Sequence, residues 1–306
     1  MKKTIIALVV IIILGVCIYF VTKNASPKDV VVEDTTATSD QDAKAAADAK
    51  AKADADAKNA PVVSIGKSVE GRDITAYHFG TGTTEVLFVG GIHGGYAWNT
   101  SLLAYQLMDY LKANPAIVPA NVKVTVIPVL NPDGLNVVTG VDGRFSASQV
   151  SKVASVLVSG RFNANDVDLN RNFDCDWQAS GKWQDKTVSG GANAFSEPES
   201  VAVQNYVIGN KPAAVIGWYA SAGGVYASSC HNGVLKQTTD ITKVFSDASG
   251  YPAHEDYNYY ELTGDMMNWL AKNNIPAVSV LLKNHTDTDW SQNKAGIEAV
   301  LKYFTK

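Results

Sequence analysis

The sequence predicts an α/β fold with a mixed, mostly parallel central sheet and helices on both faces. Two apolar runs rich in β-branched residues, Thr84–Gly90 and Val122–Leu130, have the composition of buried strands. Between them, leucine and tyrosine side chains recur at helical spacing over Asn99–Lys112. A strand–helix–strand order of this kind indicates a layered α/β architecture.

Further elements continue this alternation toward the C-terminus. The runs Pro212–Trp218 and Pro276–Leu282 predict two more strands. The patterns over Thr263–Asn273 and Gln292–Phe304 predict helices. Sites in such folds gather at the carboxyl ends of the strands. Three segments that carry candidate site residues fall there, namely Gly91–Gly94, Asn131–Gly134 and the loop after Trp218.

Composition excludes some classes of protein and divides the chain into three parts. Of 306 residues, 46% are hydrophobic, which excludes a disordered chain, and the net charge of -4 argues against a nucleic-acid partner. Residues 1–23 carry lysines but no acid, and residues 24–60 have an excess of acids. Residues 61–306 are long enough to bury one large core or two modest ones.

The first part, residues 1–23, predicts a membrane anchor. Residues 5–21 carry no charge and follow Lys2 and Lys3, which favours a single-pass helix with a cytoplasmic N-terminus and an extracytoplasmic body. A cleaved signal peptide is the first alternative, but no small-residue cleavage pattern follows the apolar run. A lipoprotein signal ending at Cys17 is the second, but Val16 stands where a small residue is needed.

The second part, residues 24–60, predicts a flexible spacer rich in Ala, Asp and Lys. Its alanine-dense stretch, residues 43–57, contains no large apolar side chain and so cannot pack as a core element. A solvated helix and a coil are both compatible with this composition. In either form it separates the body from the membrane.

The two cysteines of the body, Cys175 and Cys230, allow one disulfide. An exported domain permits such a bond, whereas two buried free thiols are the alternative. A cysteine zinc site has little support, because the sequence contains no C-x-x-C motif.

Five motifs resemble those of the zinc carboxypeptidases of the carboxypeptidase A type. Their order and spacing match that family over about residues 62–305. They are Ile65–Arg72, Gly90–Gly94, Asn131–Gly134, Arg161–Phe173 and Phe195–Glu199.

The resemblance implies hydrolysis of a C-terminal peptide bond or of a related amide in cell-wall peptides. Members hold one zinc with two histidines and a glutamate and leave a position for water. A separate glutamate acts as general base. An arginine polarises the scissile carbonyl, and an Asn-Arg pair with a tyrosine binds the terminal carboxylate of the substrate.

Most of the catalytic positions of the family are substituted in this chain. His93 matches the first zinc ligand. Where relatives have the pattern HGGYEWN, this chain reads HGGYAWN, so that Ala97 replaces the glutamate ligand. Tyr219 stands at the position of the second histidine, and Leu281 at that of the general base. We therefore expect zinc, the cofactor of the family, not to be bound tightly here.

The positions that bind substrate are retained. Arg161 matches the carbonyl-polarising arginine, Asn170 and Arg171 match the carboxylate-binding pair, and Tyr260, nine residues before Trp269, matches the substrate-capping tyrosine. A structural alternative is that the two arginines pair with nearby acids. These acids are Asp166, Asp168, Asp174 and Asp176.

The hypothesis that follows is a membrane-anchored, extracytoplasmic domain of the metallocarboxypeptidase family. We expect it to bind the C-terminal carboxylate of a peptide or peptidoglycan peptide through Arg161, Asn170, Arg171 and Tyr260. One alternative is an active zinc carboxypeptidase with a displaced site, supported by His93 and the retained substrate residues. The other is a structural, partner-binding module.

Overall fold

A computed structural model describes residues 44, 47 and 60–305. The chain divides into two units, residues 1–54 and residues 55–306, and the fold below is that of the second unit. The predicted membrane segment, residues 5–21, and nearly all of the predicted spacer lie outside the described residues. Among the residues that are described, no helix has both the length and the apolar character needed to cross a bilayer.

The body alternates strands and helices along residues 60–305. The strands are β1 Val62–Lys67, β2 Asp73–Phe79, β3 Thr84–Val89, β4 Val122–Ile127, β5 Ser180–Trp183, β6 Lys186–Ser189, β7 Ala214–Ala220, β8 Gly224–Ala227, β9 Ala253–His254 and β10 Ala277–Leu282. The helices are α1 Trp98–Ala113, α2 Pro132–Thr139, α3 Ala154–Ser159, α4 Pro198–Asn210, α5 Lys236–Ser249, α6 Met266–Lys272 and α7 Trp290–Tyr303.

The central sheet has eight strands in the order β1-β2-β4-β3-β7-β10-β8-β9. Its middle four strands, β4, β3, β7 and β10, are all parallel. The pairs β1–β2, β2–β4 and β8–β10 are antiparallel, and β8–β9 is parallel. The predicted α/β class, with a mixed and mostly parallel sheet, is thereby confirmed. Strands β5 and β6 form a separate two-stranded hairpin.

Helices cover both faces of this sheet, and each face has its own core. Strand β3 shows the division, because Phe88 belongs to one hydrophobic cluster and Leu87 to the other. Helices α1, α5 and α7 pack on the Phe88 side, and α4 and α6 on the Leu87 side. Both faces of β3 are buried, which is why its sequence is a continuous apolar run rather than an alternating one.

A disulfide joins Cys175 to Cys230, with the two Cα atoms 6.2 Å apart. It links the loop before β5 to the loop after β8, and both cysteines are buried. The bond closes a loop with a sequence separation of 55 residues. This pairing therefore ties two distant loops of the body together.

Candidate functional site

The carboxyl ends of β3, β7 and β10 surround a cavity of about 90 Å³. His93 enters it from the loop after β3, Tyr219 from the end of β7, and Leu281 from the end of β10. The predicted edge of the sheet is therefore where this cavity lies. The side chains that line it are His93, Tyr96, Arg161, Asn170, Trp183, Gln184, Tyr219, Ala220, Ser221, Tyr257, Tyr260, Leu262, Asp265, Ser279, Leu281 and His285.

A glycine turn places His93 in the cavity. Gly91 has a φ of 67°, and a Cβ atom there would lie 2.4 Å from the Ser101 Oγ atom, so the turn needs glycine. The His93 imidazole is buried, and its Nε2 atom lies 3.6 Å from the Asp168 Oδ1 atom. Neither ring nitrogen has a partner within hydrogen-bond distance in residues 60–305. Burial, and then the charge of Arg161, lower the pKa of His93 to about 4. The ring is therefore neutral at physiological pH.

Ala97 and Tyr219, which the family resemblance matches to the other two ligands, offer no metal-binding side chain beside His93. Ala97 lies just before α1 and is buried, and its methyl group has no donor atom. The Tyr219 ring meets the His93 ring edge-on at 5.8 Å between centroids, and its hydroxyl donates to the Asn170 Oδ1 atom at 3.5 Å. Burial raises the pKa of Tyr219 well above its ordinary value, so the phenol stays protonated.

The donor atoms near His93 do not make a three-ligand zinc site. Within the part of the chain that the structure describes, one group of three His, Cys, Asp or Glu residues has its donor atoms close together. That group is Cys175, Asp176 and Cys230, in which the two sulfurs are joined as a disulfide. A tetrahedral catalytic zinc takes three protein ligands, and in the described residues His93 is not grouped with two further donor side chains.

Arg161 forms a buried ion pair with Asp168. Its Nε and Nη2 atoms both donate to the Asp168 Oδ2 atom, at 3.0 and 2.7 Å. Burial alone would raise the pKa of Asp168, but Arg161, His93 and Arg171 together outweigh burial and hold that pKa well below its usual range. The guanidinium also lies 4.4 Å from the centre of the Trp183 ring. The structural alternative considered for Arg161, an ion pair with a nearby acid, is the arrangement found.

Arg171 is fully buried and bonds to backbone carbonyls instead of to a carboxylate. Its Nη1 atom donates to the Asn170 carbonyl at 2.6 Å, and its Nε and Nη2 atoms donate to the Lys182 carbonyl at 3.1 and 2.6 Å. Among the salt bridges of residues 60–305, none involves Arg171. The Tyr260 ring centre lies 5.7 Å from the guanidinium carbon.

Asn170 is held by the start of helix α6. Its Nδ2 atom donates to the Asp265 Oδ2 atom at 2.8 Å, and its Oδ1 atom accepts from the Met266 amide at 3.2 Å. Asp265 also caps α6 by accepting from the Asn268 amide at 2.9 Å. Burial raises the pKa of this carboxyl group. Asn170 therefore presents a fixed amide to the cavity.

Six of the eight sequence-predicted site positions line one cavity. They are His93, Arg161, Asn170, Tyr219, Tyr260 and Leu281. Ala97 and Arg171 are buried outside the cavity lining.

Sequence reasoning missed several cavity residues. Trp183 gave no signal, because it comes from a short hairpin that matches no motif. Asp265 could have been predicted as a helix N-cap, since it is an aspartate directly before the helix. Tyr96, Tyr257 and His285 also line the cavity and enter it from three different loops.

Three of the sequence motifs act as scaffold rather than as site. Asp133, from Asn131–Gly134, accepts from the Ser68 hydroxyl at 2.6 Å and from the Arg72 Nη1 atom at 2.8 Å, so it joins the first motif to the third. In the last motif, Glu197 accepts from the Asn163 Nδ2 atom at 2.7 Å. These bonds fix the loops that carry the cavity residues.

Comparison with known sequences identifies carboxypeptidases as relatives. The chain is 32% identical over 198 residues to the human carboxypeptidase N catalytic chain, which covers 60% of this chain and 40% of that protein. It is 29% identical over 163 residues to a metallocarboxypeptidase A-like protein of Trichophyton verrucosum, covering 50% of this chain and 36% of that protein. The chain thus spans less than half the length of these curated relatives.

Solved structures share the fold at low sequence identity. Bovine thrombin-activatable fibrinolysis inhibitor, in complex with a tick carboxypeptidase inhibitor, aligns with a TM-score of 0.61 at 15% identity and covers 80% of this chain and 88% of that chain. The murein-tripeptide amidase MpaA from Escherichia coli O157 aligns with a TM-score of 0.55 at 17% identity, covering 82% of this chain and 95% of that chain.

A family profile decides the relationship. The zinc carboxypeptidase profile (peptidase M14) matches residues 46–298, which is most of the chain. The match includes the sheet, the helices on both of its faces and every residue of the cavity. The chain belongs to the zinc carboxypeptidase family.

Proposed function

We propose that this protein is a membrane-anchored, extracytoplasmic domain that binds the free C-terminal carboxylate of peptides or cell-wall peptides without hydrolysing them. The observation that carries the proposal is the Arg171 guanidinium. It is fully buried next to a cavity lined by Asn170, Arg161 and Tyr260, and in the described residues no carboxylate lies within ion-pair distance of it.

An unpaired buried guanidinium favours an anionic ligand. Burying a charge without a counter-ion is unfavourable by several kcal/mol, and backbone carbonyls offset only part of that. The buried carboxylates of Asp168 and Asp265 interact with Arg171 only at longer range. A ligand carboxylate would supply a direct ion pair and two parallel acceptors that match the guanidinium fork. Asn170 adds an amide at the cavity wall, and Tyr260 an aromatic ring over the guanidinium.

Binding without hydrolysis follows from the residues that replace the catalytic set. The ligand positions hold one imidazole, a methyl group and a protonated phenol, namely His93, Ala97 and Tyr219. These do not fit the zinc that the family implies. The general-base position holds Leu281, which cannot accept a proton. The cavity therefore retains groups that bind a peptide end and lacks groups that activate water.

The ligand class is inferred from the relatives. One solved structure with this fold is a murein-tripeptide amidase, and another was determined in complex with a tick carboxypeptidase inhibitor. Both names concern compounds with peptide bonds, which supports a peptide or peptidoglycan peptide as the ligand here.

A hydrolytic enzyme is the second candidate, and one observation favours it. Both ring nitrogens of His93 lack hydrogen-bond partners within residues 60–305, so the imidazole is available to a metal. Elemental analysis of the full-length chain, purified in detergent and exposed to zinc, separates the two candidates. We expect no stoichiometric zinc. One tightly held zinc per chain would replace the binding proposal by the enzymatic one.

Peptide binding is tested with the full-length chain in detergent micelles. The probes are fluorescein-labelled Gly-Gly-Gly-Xaa peptides, one for each amino acid at the last position, with either a free carboxylate or a C-terminal amide. We expect binding of at least one free acid and of none of the amides. Arg171→Ala and Arg171→Lys should both weaken it, whereas Arg144→Ala, which removes an exposed arginine paired with Asp109, should not. Equal binding of acid and amide would contradict the proposal.

The membrane anchor is tested separately. The uncharged residues 5–21 and the lysines before them support it. We expect the chain to sediment with membranes after alkaline carbonate extraction, and a protease added outside the cytoplasm to digest the body. Release of the chain by carbonate would contradict an uncleaved anchor.

A further inference from the structure

The β5–β6 hairpin lies across the same residues that are proposed to bind the ligand. Its inner face carries Gly181 and Trp183, which are buried, while Ser180 and Lys182 point outward and are exposed. The hairpin is a separate two-stranded sheet and adds no strand to the central sheet. An isolated hairpin of this size is marginally stable in water, so its position depends on its contacts with the rest of the body.

The Lys182 carbonyl makes the contact that a carboxylate oxygen would make. It accepts from both the Nε and Nη2 atoms of Arg171, at 3.1 and 2.6 Å. These two donors form one edge of the guanidinium fork, which is the edge suited to a bidentate carboxylate. The carbonyl and a ligand carboxylate cannot occupy this edge at the same time.

Gly181 allows the hairpin to approach Arg171 closely. A Cβ atom at position 181 would lie 2.8 Å from the Arg171 Cδ atom and 2.9 Å from the Thr263 Oγ1 atom. The backbone of β5 therefore rests directly on the arginine side chain. This contact covers one side of the Arg171 side chain.

Trp183 extends the contact to the other arginine. Its ring lies 4.4 Å from the Arg161 guanidinium carbon and meets the Tyr96 ring edge-on at 4.9 Å between centroids. Trp183 and the adjacent Gln184 both line the cavity. One short hairpin thus covers both arginines.

The base of the hairpin is fixed by hydrogen bonds that do not involve either arginine. The Ser189 carbonyl accepts from the Asp168 amide at 3.0 Å, and the Gly190 carbonyl accepts from the Trp177 Nε1 atom at 2.9 Å and from the Asn172 Nδ2 atom at 2.7 Å. Movement about this base would lift Lys182 and Trp183 off the arginines without unfolding the central sheet.

We infer that the β5–β6 hairpin is an autoinhibitory plug, in which the Lys182 carbonyl occupies the place on Arg171 that the ligand carboxylate takes. Peptide binding then requires the tip of the hairpin to move away. This inference rests on the proposed function, because it needs a ligand with a free carboxylate.

Two substitutions weaken the plug by different means. Gly181→Ala introduces a methyl group against Arg171, and Trp183→Ala removes the ring that packs on Arg161. Losing a charge-assisted hydrogen bond of the closed state should tighten peptide binding by about tenfold. The matched control is Asp185→Asn, at an exposed position of the hairpin turn. It should bind like the wild type.

Affinities of the full-length chain in micelles are measured with the same fluorescein-labelled acids and amides. Hydrogen exchange of residues 180–189 is measured with and without a saturating free acid. We expect tighter binding by both variants and faster exchange in the wild type when peptide is present. Wild-type affinity in both variants, weaker binding by both, or slower exchange with peptide would overturn the plug.

The binding results that would overturn the plug differ from those that would overturn the proposed function. If the plug is wrong, the wild type and both variants still prefer the free acid, with equal affinity or with a loss. If the proposed function is wrong, none of the three proteins distinguishes the acid from the amide, and the plug is overturned with it.

Discussion

Leu281 lies directly beside Tyr219 in the parallel pairing of β10 with β7. Residues paired in this way project from the same face of a sheet, and here both side chains line the cavity. In the family resemblance these are the positions of the general base and of the second histidine ligand. The two substitutions are therefore neighbours in space, although 62 positions separate them in the numbering. They replace one polar corner of the site by a leucine and a tyrosine.

Restoring the ligand positions should create a zinc site. We expect Ala97→Glu combined with Tyr219→His to bind one zinc per chain, because the pair completes a two-histidine, one-glutamate set with His93. Isothermal titration with zinc measures the gain relative to the wild type. Adding His93→Ala to the double variant should abolish it. Zinc binding that survives this third change would show that the metal is held elsewhere.

Asp168→Asn should destabilise the body by about 3 kcal/mol, because it leaves the buried Arg161 guanidinium without its counter-ion. Urea unfolding of the variant and the wild type measures this difference. The control is Asp174→Asn, which breaks an exposed pair with Lys272 and should change the free energy of unfolding by less than about 1 kcal/mol. Equal effects of the two changes would contradict the role given to the buried pair.

His78 should make the stability of the body depend on pH below 6.5. Burial, and then the charge of Lys123, lower the pKa of His78 from its ordinary value of 6.5. As the pH falls below 6.5, the unfolded chain takes up a proton that the folded chain resists, so the free energy of unfolding decreases. His78→Gln should reduce the slope of the free energy of unfolding against pH. Urea unfolding at pH values about one unit apart, from pH 7 downward, measures this slope.

The control for His78 is Asn205→Gln, since Asn205 is an exposed residue of α4 and neither asparagine nor glutamine is ionisable. This change should leave the slope between neutral and mildly acidic pH nearly as it is in the wild type. A slope that is the same in the His78 variant as in the wild type would refute the assignment.

Removing the disulfide should lower the free energy of unfolding by about 4 kcal/mol, the chain-entropy value for a closed loop of this length. The loop has a sequence separation of 55 residues between Cys175 and Cys230. The test compares the wild type with the double serine variant in urea, with and without a reductant. Reductant should destabilise the wild type and leave the variant unchanged. An unchanged wild type would mean that the bond does not constrain the unfolded chain.

The central strands were predictable because their signal is local. Strands β3, β4, β7 and β10 are buried on both faces, so each is mostly apolar and rich in β-branched or aromatic residues, a signal that needs no knowledge of its neighbours. The helix predicted over Thr263–Asn273 begins later, at Met266, because Asp265 caps it there. Such a boundary depends on one hydrogen bond and not on periodicity.

The elements that were not predicted have weaker local signals. Strands β1 and β5 alternate exposed and partly buried residues over only a few positions. Most residues of helix α5 are polar, and the helix is held by packing against α7 and β8. Tertiary contacts decide these elements, because short or mostly polar segments have little preference of their own.

The site shows the same division. The sequence shows which residue type stands at each position of a motif, so the expectation that Ala97 replaces a glutamate needs no structure. It does not show where a side chain points. Arg161 and Arg171 look equivalent as candidate carboxylate binders, yet one pairs with Asp168 and the other bonds to the Lys182 carbonyl.

The sequence by itself determined the family and the α/β class, and it supplied the expectation that the zinc and base positions are substituted, because these depend on residue identity and on runs of apolar residues. Only the tertiary structure decided which partners the two arginines have and that the β5–β6 hairpin covers them. Those contacts join residues from separate loops, and their distances are set by how the sheet and the hairpin pack. Sequence patterns do not specify the distances between side chains that belong to separate loops.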